Sequence, residues 1–227
     1  MHLTVNGITL YYEVTGDKKP LILLHGNDED HTLFNGLVSK LENDHQVFTL
    51  DTRGFGLSEQ NCFLSYDLMA DDLAHFINKL KIFKPIIYGF SDGGIIALLF
   101  TIKYPDVVDR VIVSGVNIHP FGLKLNVYRY YLFEYLKTKD PKILLMLSSP
   151  WFKRSDLRSI KAEVIIIVGA NDVIRLSHTK LIAKCILKHK LMIVDHEDHA
   201  SYVSDNDKLY DIILPYLSDD TIIDPSC

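Results

Sequence analysis

A chain of 227 residues can bury a substantial core, and its length fits one α/β domain better than two. Hydrophobic residues make up 48% and charged residues 23%, ordinary globular composition, and a net charge of −5 without a dominating basic run argues against a nucleic-acid surface. Apolar runs such as Ile95–Phe100 and Val164–Val168 fall far short of the roughly 20 residues that a membrane span needs.

In chain order, Leu3–Val5 and Ile8–Tyr12 flank Asn6-Gly7, a pair suited to a type I′ turn, so the chain should open on a β-hairpin. The amino terminus runs straight into this strand pattern, so no signal peptide is expected and the cytoplasm is the expected compartment. Cys62, Cys185 and Cys227 are scattered and odd in number, which suits reduced thiols better than a disulfide framework or a cysteine metal site. Short apolar runs then follow at Leu21–Leu24, Val47–Leu50, Ile86–Tyr88, Val111–Ser114, Val164–Val168 and Leu191–Val194. Nearly continuous apolar runs of this length suit strands of a parallel sheet covered on both faces.

Helical patterns lie between these runs. Ser65 can cap a helix in which Leu68, Leu73, Phe76, Ile77 and Leu80 repeat near the 3.6 period, with Asp71 and Asp72 facing outward. Ile95–Tyr104 is apolar nearly all round and is stopped by Pro105, and Ser177–Lys188 and Ser201–Leu217 are further candidates. The expected architecture is α/β, a mostly parallel central sheet with helices on both faces, in a single domain over residues 1–227. Residues 115–163 break the rhythm. Structureless loops of that length are uncommon, so a small helical insertion is expected there, rich in aromatics (Tyr128, Tyr130, Tyr131, Phe133, Tyr135).

The strongest motif is Gly89-Phe90-Ser91-Asp92-Gly93-Gly94, placed between a strand and a helix as a nucleophile elbow requires. The glycines permit a sharp turn, and the serine hydroxyl would stand at the end of the sheet beside a positive helix terminus. With this motif the sequence resembles the α/β-hydrolase fold family over nearly its whole length. Leu21–Asn27 resembles that family's strand followed by its His-Gly oxyanion loop, and Asp51-Thr52-Arg53-Gly54-Phe55-Gly56-Leu57-Ser58 resembles its Asp-x-Arg-Gly-x-Gly-x-Ser turn. Gly169-Ala170-Asn171-Asp172 matches the acid loop, and His199 follows the last strand.

The resemblance implies a serine hydrolase in which Ser91 is the nucleophile, His199 the base and Asp172 the residue that orients and stabilises the imidazole. It implies that the backbone amides of Asn27 and Asp92 receive the developing oxyanion. His196 is the rival base, and Asp198 stands where many relatives have glycine before the histidine. His25 is expected to pack behind the oxyanion loop, and Arg53 to tie down loops. His196-Glu197-Asp198-His199 lacks the spacing that places two metal ligands on one helical face, and the elbow glycines match no phosphate or dinucleotide fingerprint, so neither metal nor cofactor is expected.

The expected reaction is cleavage of a small-molecule carboxylic ester through an acyl-enzyme. The same three residues also suit a C–C bond hydrolase or perhydrolase, and some relatives with this fold serve as ligand-binding receptors with slow turnover. Asp28, Glu29, Asp30 and Asp92 crowd the expected mouth and should disfavour anionic substrates. The Gly-x-Ser-Asp-Gly-Gly elbow also resembles that of the valacyclovir-hydrolase-like branch, which cleaves amino-acid esters, so a role for Asp92 in reading an amine is open beside a merely solvated acidic rim. The insertion's aromatics could line an apolar pocket or simply pack the insertion onto the sheet.

Overall fold

A computed structural model describes residues 1–218. Eight strands among them form one sheet: β1 (His2–Val5), β2 (Ile8–Thr15), β3 (Lys19–Leu24), β4 (His45–Leu50), β5 (Ile86–Phe90), β6 (Arg110–Ser114), β7 (Glu163–Gly169) and β8 (His189–Val194). Their order across the sheet is β1-β2-β4-β3-β5-β6-β7-β8. The β1–β2 hairpin is antiparallel and joins β4 antiparallel, whereas β3 to β8 run parallel. Asn6 and Gly7 both take positive φ, +46° and +78°, as the predicted turn demands.

Alternation along the central strands shows why their sequences are apolar at every position. Ile22 and Leu24 of β3 enter one core while Leu21 and Leu23 enter the other, and Val164 and Ile166 of β7 are likewise separated from Ile165 and Ile167. Successive side chains of a strand point to opposite faces, so a sheet covered on both sides has no solvent-facing position. The helices α2 (Tyr66–Lys79), α3 (Asp92–Lys103) and α7 (Leu176–Cys185) supply one core through Phe76, Phe100 and Ile182. The other core takes Leu37 and Leu41 from α1 (Asn35–Leu41), Tyr202 and Val203 from α8 (Ser201–Ser204), and Leu209 and Ile213 from α9 (Asn206–Ile213). The interval from 115 to 163 carries α4 (Leu125–Thr138), α5 (Pro141–Ser148) and α6 (Arg154–Arg158).

Four details depart from the expected pattern. The segment Ser201–Leu217 is not one helix. It comprises α8, α9 and a 3₁₀ turn at Leu214–Tyr216 that accommodates Pro215, and Asp205 caps α9 by accepting from the Lys208 amide. Ser65 holds the N-cap position of α2, but its side chain makes no cap hydrogen bond. Asp72 faces inward, 2% exposed, where Arg53 meets both carboxylate oxygens at 2.6 Å and Asn6 Nδ2 donates to one of them. Finally, α1 adds a helix on the spacing of Phe34, Leu37, Val38 and Leu41, interrupted by Gly36, and its start is held by a distant residue, Asn206 Oδ1 accepting from the Leu37 amide. Cys62 and Cys185 are free thiols, the second buried, and Cys227 lies outside the described residues. Among the described residues no helix is long and apolar enough to cross a membrane.

Candidate active site

The carboxyl ends of β3, β5, β7 and β8 point the same way, so the loops that follow them gather at one edge of the sheet. After β5 the chain reverses at Ser91, whose φ of +50° and ψ of −113° are costly for a residue with a side chain. The turn is held on both sides: the Ser91 amide donates to Ser114 O at 2.8 Å, and the Ile95 amide donates back to Ser91 O at 3.1 Å. Only glycine fits two positions later, because a Cβ on Gly93 would lie 2.2 Å from Leu24 O at the end of β3. This close approach presses the start of α3 against the end of β3.

His199 and Asp172 converge on that serine. His199 Nε2 is 3.1 Å from Ser91 Oγ, and Nδ1 is 2.8 Å from Asp172 Oδ1. The same Oδ1 accepts from the Ile174 amide at 2.8 Å, while Oδ2 is buried without a hydrogen-bond partner. With a carboxylate accepting at Nδ1, the proton belongs there and Nε2 is left to accept from the serine. His196 is exposed and sits in a left-handed turn, φ +65°, so the geometry brings His199 and not His196 to Ser91. Asp198 fits before His199 because that position does not require a positive φ; its carboxylate accepts from the Ala200 and Ser201 amides instead.

The loop after β3 is braced from several directions. His25 is buried and its ring Nδ1 lies 2.7 Å from Gly26 O, while Nε2 accepts from the Thr52 amide at 3.1 Å. Burial lowers the His25 pKa, which suits this neutral tautomer. Asn27 Nδ2 donates to Asp92 Oδ2 at 2.8 Å and to Lys142 O of α5 at 3.3 Å. Asp92, expected at an acidic rim, is 6% exposed, and burial raises its carboxyl pKa above the ordinary range despite the Asn27 contact. Asp28 is exposed, and Asp30 caps a 3₁₀ turn by accepting from Thr32. Glu29 alone of that run turns into the site. Its Oε2 accepts from the Gly26 amide at 2.8 Å, and desolvation pushes its carboxyl up to about 6.

Ser91, His199, Asn27, Asp92 and Glu29 line one cavity of about 140 Å³, whose wall also includes Tyr131 of α4 and Met146 of α5. Of the aromatic stretch only Tyr131 reaches it. Among the described residues no Lys or Arg lines it. A larger groove of about 590 Å³, between α2 and α3 beside Phe83, contains none of these groups. Arg53, as expected, ties loops, pairing Asp72 and donating to Phe63 O. Sequence reasoning missed Gly115 at the end of β6: its φ is +60°, and a Cβ there would lie 2.7 Å from His199 Cε1. A glycine directly after a buried strand was the available signal.

The sequence profile for the alpha/beta hydrolase fold matches residues 19–141, more than half of the chain. The protein belongs to the alpha/beta hydrolase fold family. Among curated relatives, an sn-1-specific diacylglycerol lipase of Danio rerio is 34% identical over 56% of this chain and 42% of its own length. An AB hydrolase superfamily protein of Bacillus subtilis is 28% identical over 66% of this chain and 60% of its own. The chain thus spans less than two thirds of the length of either relative. Among solved structures, an esterase from Exiguobacterium antarcticum superposes with a TM-score of 0.84 at 18% identity, covering 96% of this chain and 98% of its own. A meta-cleavage product hydrolase from Pseudomonas fluorescens gives 0.78 at 20% identity, covering 95% and 96%. At such identities these two show the shared fold alone.

Proposed function

We propose that the protein is a serine hydrolase that cleaves carboxylic esters of small molecules through an acyl-enzyme, with Ser91, His199 and Asp172 as its catalytic residues. The observation that carries this reading is the continuous relay Ser91 Oγ–His199–Asp172, built on a serine held at φ +50°. A serine hydroxyl is a weak nucleophile until a base takes its proton, and His199 Nε2 is within reach to do so. As Ser91 Oγ bonds to the ester carbonyl carbon, its proton passes to His199. Asp172 stabilises the imidazolium that results. The amides of Asn27 and Asp92 donate to the oxyanion, and loss of one such donor typically costs about 3 kcal/mol. The ester C–O bond then breaks, and the leaving alcohol takes the proton from His199. Water, deprotonated by the same ring, attacks the acyl-Ser91 carbonyl and returns the free serine and a carboxylic acid. The residues complete this cycle with water alone.

Several features narrow the substrate. A cavity of about 140 Å³ suits a short acyl group, and α4 and α5 act as a lid over it through Tyr131 and Met146. Glu29 inside and the lack of lining cations favour a neutral or cationic acyl group over an anionic one. Similarity to a diacylglycerol lipase is a further reason to place ester cleavage ahead of C–C cleavage. A series of p-nitrophenyl esters of rising acyl length tests the proposal. Turnover should be highest for short acyl chains and fall roughly 10⁴-fold or more in Ser91→Ala, and turnover near the wild-type rate in Ser91→Ala would refute it.

A further inference from the structure

In α4, the residues Leu125, Arg129, Leu132, Phe133 and Leu136 recur at helical spacing and share one side, with Tyr131 on the other. A surface helix ordinarily turns its polar side to water and its apolar side to the core. Here the outward side is apolar as well: the inner side carries the half-buried Val127, Tyr128, Tyr131 and Tyr135, no residue of the helix is buried, and Leu125, Phe133 and Leu136 are 71%, 58% and 56% exposed. The apolar surface continues beyond the helix. Phe121, 56% exposed, meets Tyr128 of α4 at 5.6 Å between ring centroids and the exposed Trp151 at 5.9 Å.

Charge is distributed just as unevenly. Residues 115–162 hold nine Lys and Arg against three Asp and Glu, a net of +6, which leaves the remainder of the chain at −11. Arg129, Lys139, Lys153 and Arg154 are exposed, and among the described residues none of them makes an ion pair. A cationic segment presenting Leu, Phe, Tyr and Trp outward is the combination that seats an amphipathic helix in the headgroup boundary of a membrane. Anionic headgroups attract the Lys and Arg side chains, and the aromatic and aliphatic groups insert beneath them.

We propose that the outer face of α4, with Phe121 and Trp151, docks the protein peripherally on an anionic lipid surface. The other side of the same helix carries Tyr131 into the cavity, so docking sets the wall of the site against the lipid. The proposal stands apart from the chemistry of Ser91, because binding is read without turnover.

Cosedimentation of the full chain with phosphatidylcholine vesicles, with and without phosphatidylglycerol, tests it. Binding should be at least tenfold tighter to the anionic vesicles and should weaken as salt screens the headgroups. The triple substitution Leu132→Ser, Phe133→Ser, Leu136→Ser should lower the affinity roughly tenfold or more. Removing charge by Arg129→Gln with Lys139→Gln should lower it chiefly at low salt. Both variants should keep the wild-type melting temperature and hydrolyse a water-soluble ester at the wild-type rate. Absent or salt-insensitive vesicle binding, or equal binding by the triple variant, would overturn the proposal. So would a dimer, seen by sedimentation equilibrium, that the triple substitution dissociates while vesicles go unbound, since a second copy would then cover this face.

Discussion

The side-chain amide of Asn27 donates to the buried carboxyl of Asp92 across 2.8 Å, joining the loop after β3 to the first residue of α3. The two residues proposed to hold the oxyanion through their backbones are therefore locked to each other through their side chains. Asn27 also donates to Lys142 O, so α5 is tied to the same brace.

This engagement makes Asp92 a positioning group and leaves little of its carboxyl to read a substrate amine. Asp92→Ala and Asn27→Ala should each lower kcat by roughly tenfold to a hundredfold with little change in KM, because oxyanion donors act in the transition state. Asp92→Asn keeps an acceptor for Asn27 and should cost far less. The kcat/KM of a cationic aminoacyl ester and of its neutral isostere should fall by one factor in each variant. Selective loss of the cationic ester in Asp92→Asn would return Asp92 to charge recognition.

Glu29 should leave a mark on stability. Its folded-state carboxyl is raised from 4.5 to about 6, so the folded chain holds a proton that the unfolded chain releases between those values. Folding stability should therefore decline as pH rises through this window, by up to about 2 kcal/mol from Glu29 alone. Glu29→Gln can still accept from the Gly26 amide and carries no charge. Relative to wild type it should gain stability at pH 7 and gain little at pH 4.5, as urea midpoints at the two pH values would show. An equal difference at both pH values would contradict this account of Glu29.

Gly115 offers a test of imidazole placement. Gly115→Ala would strain a φ of +60° and put a methyl group 2.7 Å from His199 Cε1, so the ring must shift away from Ser91 or Asp172. A misplacement of about 1 Å costs on the order of a hundredfold in rate. The strain should also lower stability by about 1 kcal/mol. Retained turnover would show that the ring has room to spare.

The choice of base is equally open to test. His199→Ala should lower kcat about as far as Ser91→Ala, roughly 10⁴-fold or more, since the two act as a unit. His196 is exposed in its left-handed turn, and His196→Ala should stay within a factor of about two of wild type. The reverse ranking would transfer the role to His196.

Much of the fold was legible because it depends on local pattern. The apolar runs of β3 and β7 announce burial on both faces, and the Gly-Phe-Ser-Asp-Gly-Gly elbow announces its turn through residues adjacent in the chain. What escaped depends on partners far apart. Asp72 looked like a solvent-facing residue of an amphipathic helix until Arg53 and Asn6 arrived from other segments to pair it. Likewise α1 forms where Asn206 anchors it. The same holds at the site. Order along the chain indicated Ser91, Asp172 and His199, but composition alone could not separate Glu29, which enters the cavity, from Asp28 and Asp30, which do not. Nor could the aromatic content of α4 show that Tyr131 faces inward while Phe133 faces water.

The most direct measurement is the site of covalent capture. The folded protein is treated with a fluorophosphonate, its intact mass is taken, and the adduct is located by peptide sequencing in wild type, Ser91→Ala and His199→Ala. One phosphonyl group per chain, on Ser91, is the predicted result, with none in Ser91→Ala and much slower capture in His199→Ala. An adduct on another residue with Ser91 unmodified, or equally fast capture without His199, would contradict the assignment of Ser91 as a nucleophile activated by His199.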